Sequence, residues 1–153
     1  MVRLSQYEKS EREHLLKLPC PTYTSSPYVT GLKVSQARIA LISTAGLHHR
    51  SDRSFEVGET GYRLIPKDVE ANDLVMSHIS TNFDRTGFQM DMNMVFPLDR
   101  LRELEQHRLI GSLAEYHYSF MGATPPDKME QEARQLSAIL KKGQVDAVLL
   151  VPV

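Results

Sequence analysis

The chain has 153 residues, a length that suits one compact domain with a sizeable buried core. Hydrophobic residues make up 41% and charged residues 24%, and the net charge of -1 argues against binding to nucleic acid or to an anionic membrane surface. No apolar run approaches the roughly 18 residues needed to cross a bilayer, and residues 1–9 lack the apolar core of a secretory signal. We therefore expect a cytoplasmic protein.

The single cysteine, Cys20, excludes a disulfide within the chain. It lies between Pro19 and Pro21, a setting typical of an extended connector. Because its sequence neighbours provide neither a cation nor a helix N-terminus to activate a thiol, we interpret Cys20 as an incidental thiol.

The first predicted elements are a short amphipathic helix over residues 5–18 and a proline-containing connector from Pro19 to Pro27. Residues 37–44 follow, with the continuous apolar centre of a parallel strand that is buried on both faces. Residues 48–61 are polar and contain glycine, which predicts a loop.

Two shorter strands are predicted at residues 62–66 and 74–77, and residues 93–96 are apolar but short. Leucines at helical spacing predict a helix that begins after Pro97 and ends at Gly111.

Apolar residues at intervals of four, three and four predict a third helix over residues 129–140, and Gly143 stands where its C-terminal cap belongs. Residues 145–153 form the most strand-like segment.

Alternating helices and buried-type strands predict an α/β domain with a largely parallel, Rossmann- or flavodoxin-like open sheet. We expect it to span residues 37–153, after an N-terminal helix and connector at residues 1–36. Ligands of such sheets bind outside the carboxyl ends of the strands. The loops after Thr44, after Met76 and beyond Val151 are therefore candidate site regions.

Three readings remain open for His48, His49 and Asp52, which follow the first buried strand. They are a metal site, a polar loop with one functional histidine, or solvated residues. A single metal ion rarely takes adjacent histidines, because they point apart in extended structure.

Ser77 and His78, with Asp84, are pieces of a nucleophile–base set, but no G-x-S-x-G elbow is present. His117, between two tyrosines, is interpreted as a packed or hydrogen-bonded histidine, and Asp99 as a helix cap. No G-x-G-x-x-G, Walker A or H-E-x-x-H motif occurs, so these residues alone name no reaction.

Several stretches, in order, resemble the selenoprotein B family of glycine/sarcosine/betaine/D-proline reductases. The similarity covers residues 37–153. Its segments are RIALISTAGLH (38–48), GETGYRLIP (58–66), SHIS (77–80) with Asp84, NMVFPLDRLREL (93–104), IGSLA (110–114), HYSFMG (117–122) and GQVDAVLLVPV (143–153). Glu59 and Gly61 depart from the Asp and Ser that are usual in the family's G-D-x-S-[FY]-R-x-I-P segment.

The resemblance implies reductive cleavage of an amino-acid C–N bond. A pyruvoyl group on a partner subunit would hold the amine as a Schiff base, a selenolate or thiolate would attack the α-carbon, and a dithiol or thioredoxin-type donor would reset the enzyme. The family's last strand leads directly into a selenocysteine or cysteine. A helix N-terminus there would stabilise the anion.

The resemblance thus places the redox residue directly after Val153, so we expect this chain to lack it and to be inactive alone. Our hypothesis is a premature product ending at a recoded UGA codon, and a UAA or UAG codon at that position would contradict it. The expected pocket is lined by His48, His49, Ser77, His78 and His117, with no metal and no cofactor bound by this chain. Uncovered apolar sheet surface would favour a homodimer.

Two other functions stay open. One is a non-catalytic binding or assembly domain derived from the same family, which would have kept the strand-end pocket. The other is an unrelated hydrolase or metal enzyme that uses His48, His78 and an acidic partner. The codon after Val153 bears on the first alternative and a metal scan of the purified protein on the second.

Overall fold

The computed structural model describes residues 3–20, 22–25, 29–80 and 85–153, which form a single α/β domain. Its helices are α1 (Lys9–Leu16), α2 (Thr86–Met90), α3 (Leu98–Gln106) and α4 (Glu130–Lys142). Its strands are β1 (Arg38–Ser43), β2 (Leu47–His49), β3 (Tyr62–Pro66), β4 (Leu74–Met76), β5 (Ser112–Leu113), β6 (Tyr116–Phe120) and β7 (Ala147–Val151). Within these described parts, no helix is long and apolar enough to span a membrane.

Strand β1 is the centre of a five-stranded, mostly parallel sheet. Strand β7 pairs with β1 in parallel along its length, from Ile39 opposite Ala147 to Ser43 opposite Val151. The first residues of β1 also pair with β5 and its last residues with β6, both in parallel. Strand β3 runs antiparallel to β6, and β2 and β4 form a separate antiparallel pair.

Apolar side chains cover the two faces of this sheet unequally. The larger cluster joins alternate residues of β1 to α3 and the turn before it, and its most enclosed members are Leu41, Leu47, Ile65, Phe96 and Leu98. On the opposite face, Leu136 of α4 packs against Tyr118 and Phe120 of β6. Strands buried on both faces are the pattern expected of parallel sheets, and β1 follows it.

A polar network fixes the start of α3. The Asn93 side chain donates to Asp91 at 2.9 Å and to Asp99 at 3.1 Å, and Asn93 Oδ1 accepts the Asp99 N–H. Asp99 also pairs with Arg102, whose guanidinium donates to the carbonyls of Lys67 and Val69. Asp99 lies in the first turn of α3, but the predicted helix cap is wrong, because Pro97 is the cap residue and no side chain caps this helix. The network ties α3 to the end of β3.

Several predicted elements are confirmed and others are corrected. Strands β1, β3, β4 and β7 and helices α3 and α4 lie where the patterns place them, and Gly143 follows α4 as its cap residue. The predicted loop at residues 48–61 is wrong at its start, because His48 and His49 belong to β2, where they pair with β4. The predicted first helix is shorter, Lys9–Leu16, and buries none of its residues.

Strands β5 and β6 were not predicted, and the turn Met92–Met94 replaces a strand-like reading of residues 93–96. Helix α3 ends at Gln106 rather than at Gly111. Gly111 instead has a packing role, since a Cβ there would lie 2.5 Å from the Gln36 carbonyl carbon and 2.8 Å from Ala37 N and O.

Strand β7 has the predicted apolar sequence, but its side chains are largely exposed. Val148 is 38%, Leu149 39% and Leu150 67% exposed. The cause is position, because β7 pairs with β1 on one edge only and α4 packs over β6 on the far side of β1. An apolar strip therefore lies at this edge of the sheet.

Replacing Gly111 by alanine tests the close approach of β5 to residues 36–37. We expect Gly111→Ala to lower the free energy of unfolding by about 1–3 kcal/mol, because the added methyl group meets backbone atoms that cannot rotate away. Gly31→Ala is the matched control, since a Cβ at Gly31 meets nothing within 4 Å. Urea unfolding of both variants measures this difference, and equal free energies of unfolding would contradict the packing role of Gly111.

Candidate functional site at the carboxyl ends of the parallel strands

The parallel strands β1, β6 and β7 end at the same edge of the sheet, and backbone hydrogen bonds hold their ends together. The Thr44 N–H donates to Val151 O at 3.2 Å, and the Gly122 N–H donates to Thr44 O at 2.8 Å. The Gly46 N–H donates to Phe120 O at 2.8 Å. The segments that follow the three strands are thus fixed relative to one another.

Gly122 is the point of closest approach at this edge. A Cβ atom there would lie 2.5 Å from Val153 O, 2.8 Å from Thr44 O and 3.0 Å from His78 Nε2. The two distances to backbone oxygens are too short for a real Cβ contact and the third is tight, so glycine is required for the three segments to meet. His78 is thereby placed beside the segment that follows β7.

His78 is held from both sides. Gly46 has a φ of +65°, and a Cβ there would lie 3.1 Å from the His78 backbone. The Ser80 N–H donates to His78 Nδ1 at 3.2 Å, so in the neutral ring Nε2 carries the proton and faces Gly122. Burial, together with the nearby charge of Arg85, lowers the pKa of His78 below its ordinary value.

Ser77 anchors the loop over β2 and β4. Its Oγ accepts the Phe55 N–H at 2.9 Å, and its own N–H donates to Gly46 O at 3.0 Å. This hydroxyl therefore accepts a hydrogen bond from the loop that carries Phe55.

The same loop is clamped by Arg63 and Glu59. The Arg63 guanidinium lies 4.2 Å from the Phe55 ring centroid and donates to Arg53 O at 3.1 Å. It also pairs with Glu59 at 2.8 Å. Burial alone would raise the pKa of Glu59, but hydrogen bonds from Arg63 and the Glu56 N–H and the charges of Arg63 and Arg53 outweigh it and lower the pKa.

His48 and His49 make separate contacts. His48 is buried against Phe55, and its Nδ1 lies 2.8 Å from His49 O, so Nδ1 donates this hydrogen bond. His49 Nδ1 lies 2.7 Å from Ser51 Oγ. Among the residues that the structure describes, no group of three His, Cys, Asp or Glu side chains is arranged to hold a metal ion.

His117 completes the hydrogen bonding of β1. Its Nδ1 accepts the Leu41 N–H at 3.0 Å, at the point where the partner of β1 changes from β5 to β6. The ring is fully buried and meets Phe96 edge to face. Burial first, and then the charges of Arg102 and Lys67, lower the pKa of His117 to about 4. The interpretation as a hydrogen-bonded histidine is confirmed.

Of the five predicted pocket residues, His78 lies at the strand-end site, beside the segment that carries Val153. Ser77 is its neighbour in the chain, but its hydroxyl contacts the loop at Phe55, and the His48 ring contacts the same residue. The roles in substrate binding stay predictions for all five residues, which are His48, His49, Ser77, His78 and His117. Asp84 lies outside the described residues.

Thr44 and Gly122 were not singled out as site residues. The strand-end rule points to the loop after Thr44. The Thr44 hydroxyl accepts the Val153 N–H at 2.8 Å, and this contact depends on the pairing of β1 with β7, which sequence alone does not show. Gly122 stands within a stretch that the resemblance covers, but its role depends on atoms that lie far away along the chain.

Comparison with known proteins gives consistent matches. The family model described as Glycine/sarcosine/betaine reductase selenoprotein B matches residues 11–153. The D-proline reductase subunit gamma of Acetoanaerobium sticklandii is 34% identical over 135 residues, which are 86% of this chain and 53% of that protein. The Glycine reductase complex component B subunit gamma of Symbiobacterium thermophilum is 31% identical over 141 residues, 86% of this chain and 32% of that protein.

A third relative, the Betaine reductase complex component B subunit beta of Peptoclostridium acidaminophilum, is 30% identical over 149 residues, 92% of this chain and 34% of that protein. The chain thus spans between about a third and about a half of the length of these relatives. No solved structure matches it significantly.

The environment of His117 predicts a specific pH dependence. Its pKa is about 4 in the folded protein against an ordinary value of 6.5, so between these values the unfolded chain binds the extra proton. We therefore expect the free energy of unfolding to fall as pH is lowered from about 6.5 towards 4, and less steeply in His117→Leu. NMR titration of the ring provides the direct check, and a midpoint near 6.5 would contradict this account.

Proposed function

Because the chain belongs to the glycine/sarcosine/betaine reductase selenoprotein B family, we propose that it acts in a complex that reductively cleaves an amino-acid C–N bond. The observation that supports this proposal is the convergence of Thr44, His78 and Gly122 on the segment carrying Val153. Open parallel sheets bind their ligands at this edge. The relatives are named for D-proline, glycine, betaine and sarcosine, in each of which one carbon carries both nitrogen and a carboxylate.

The proposed nucleophile is a selenocysteine or cysteine directly after Val153. Its anion attacks the substrate carbon, a C–Se or C–S bond forms, and the nitrogen leaves with the electron pair of the broken C–N bond and takes up a proton. A thiolate of a dithiol then attacks the selenium or sulfur, and the carbon leaves with its electron pair and is protonated. The second thiolate closes a disulfide and releases the redox residue, so the dithiol supplies both electrons.

We assign His78 a hydrogen-bonding role at the leaving nitrogen. Its Nε2–H faces the strand-end site while Nδ1 is held by Ser80, so the ring orientation is fixed. The N–H of a neutral imidazole can stabilise the negative charge that develops on the leaving nitrogen, which then takes its proton from water. His48, His49, Ser77 and His117 belong to this proposal as residues that shape the surroundings of His78.

The remaining parts of the reaction come from other components. A pyruvoyl group on a partner subunit would supply an electron-withdrawing carbonyl that takes up the substrate amine, and this chain binds no cofactor itself. A dithiol or thioredoxin-type protein in the cytoplasm would act as the reductant.

A partner surface is available at β7. Ile42, Thr44, Leu150, Val151 and Pro152 line an apolar groove of about 300 Å³ on the exposed edge of the sheet. We propose that a protein chain covers this strip in the complex, and a second copy of this chain is one candidate.

Activity of the native complex tests the proposal. We expect an affinity-tagged subunit to isolate partner subunits from its source. The isolated complex should oxidise a dithiol in step with amine release from glycine, sarcosine or betaine, or with ring opening of D-proline. One molecule of dithiol should be oxidised for each molecule of product that forms. A complex that assembles but reduces none of the four would favour the binding or assembly function instead.

Within that complex, His78→Phe should lower kcat about 100-fold, since loss of one hydrogen-bond donor to charge that develops in the transition state commonly costs at least this factor. His14→Phe is the control, because His14 lies in α1, which buries none of its residues. Equal kcat values for the two variants would contradict this role of His78.

A further inference from the structure

The Thr44 side chain exchanges two hydrogen bonds with one residue of the segment after β7. Its Oγ1 accepts the Val153 N–H at 2.8 Å and donates to Val153 O at 3.2 Å. Both polar groups of the Val153 backbone are thus held by a single hydroxyl. Two contacts from one short side chain fix orientation as well as distance.

The backbone of Thr44 is hydrogen-bonded to two neighbouring segments of the sheet. Its N–H donates to Val151 O at 3.2 Å, and its carbonyl accepts the Gly122 N–H at 2.8 Å. The β-branched side chain has few rotamers, so a fixed backbone also fixes the hydroxyl. Thr44 therefore fixes the position of Val153 relative to both β1 and the end of β6.

Few other backbone groups in the segment after β7 can hold Val153 in place. Strand β7 ends at Val151, and the next residue, Pro152, has no N–H to donate. The first backbone donor beyond the strand is the Val153 N–H, and Thr44 takes it. Gly122 closes the other side, since Val153 O lies where its Cβ would be.

We propose that Thr44 is a positioning residue, which sets where the residue after Val153 is presented beside His78. The proposal deepens the proposed function and rests on it, because the residue so presented is the redox nucleophile. A shift of about 1 Å in a reacting group can cost about 100-fold in rate, so fixing this backbone matters for turnover. Thr44 itself need touch neither substrate nor the reacting atoms.

Two substitutions separate the hydroxyl from the rest of the side chain. Thr44→Val keeps the shape and removes both hydrogen bonds, whereas Thr44→Ser keeps the hydroxyl. Hydrogen exchange of the Val153 amide, followed by ¹H–¹⁵N NMR, reports the contact without any need for activity. We expect about tenfold faster exchange in Thr44→Val, the factor associated with one lost hydrogen bond, and near-original exchange in Thr44→Ser.

Thr124→Val is the matched control for loss of a threonine hydroxyl. The Thr124 hydroxyl donates to Glu59 O at 2.7 Å and not to Val153, so its removal should leave exchange of the Val153 amide unchanged. Faster exchange at Val153 in this variant as well would show a general loosening of the fold and overturn the specific role of Thr44.

The catalytic arm uses the complex that contains this subunit. We expect Thr44→Val to lower kcat at least tenfold with little change in KM, and Thr44→Ser to restore most of the activity. Faster exchange at Val153 with unchanged kcat would overturn the positioning role. A complex without reductase activity before any substitution would instead contradict the proposed function, and the exchange result would still report the contact between Thr44 and Val153.

Discussion

Strand β1 is hydrogen-bonded along both of its edges, and the arrangement of the candidate site depends on this pairing. Its partner on one edge is β7, while β5 and then β6 share the other. Where β5 gives way to β6, the Leu41 N–H has the imidazole of His117 as its acceptor. A buried backbone donor without a partner would be costly, so a side chain at this break keeps the strand continuous.

This pairing sets the level at which the parallel strands end. Because β1, β6 and β7 run in the same direction, the segments after Ser43, Phe120 and Val151 emerge together. Gly122 allows them to approach more closely than any larger residue would permit, and His78 enters the same space from the smaller sheet. The scaffold thus fixes a donor imidazole next to the position proposed for the nucleophile.

Several segments that resemble the reductase family contribute contacts to this scaffold. The segment around Asn93, Asp99 and Arg102 is a hydrogen-bonded network that ties α3 to the end of β3. The segment that contains Glu59 and Arg63 clamps a loop through an ion pair. Glu59, which stands where the resembling segment of the family usually has aspartate, pairs with the Arg63 guanidinium at 2.8 Å.

Local sequence patterns are sufficient to predict a helix or strand when the residues of that segment alone show its hydrophobic periodicity. Continuous apolar runs located β1 and β7, helical spacing located α3 and α4, and Gly143 marked a helix end. The sequence does not predict strand β6, because His117, Ser119 and two tyrosines give no apolar alternation, although His117 Nδ1 and Ser119 Oγ each accept a backbone hydrogen bond inside the fold. Burial there depends on partners more than 70 residues away.

The candidate site was predictable in place but not in detail. The rule for open parallel sheets pointed to the loops after Thr44, after Met76 and beyond Val151. It could not distinguish His78 from His48, whose sequence settings are alike. Only the packing of Gly46 and Gly122 against His78 separates them.

Mapping the most reactive chalcogen of the complex tests the central claim directly. Iodoacetate, like glycine, has a carboxylate beside its reactive carbon, and it alkylates selenolates and thiolates. After brief treatment of the reduced complex and peptide mass spectrometry, the account predicts a carboxymethyl group on the residue directly after Val153, with labelling slowed by substrate. Loss of activity with the label on Cys20 and none after Val153 would contradict it.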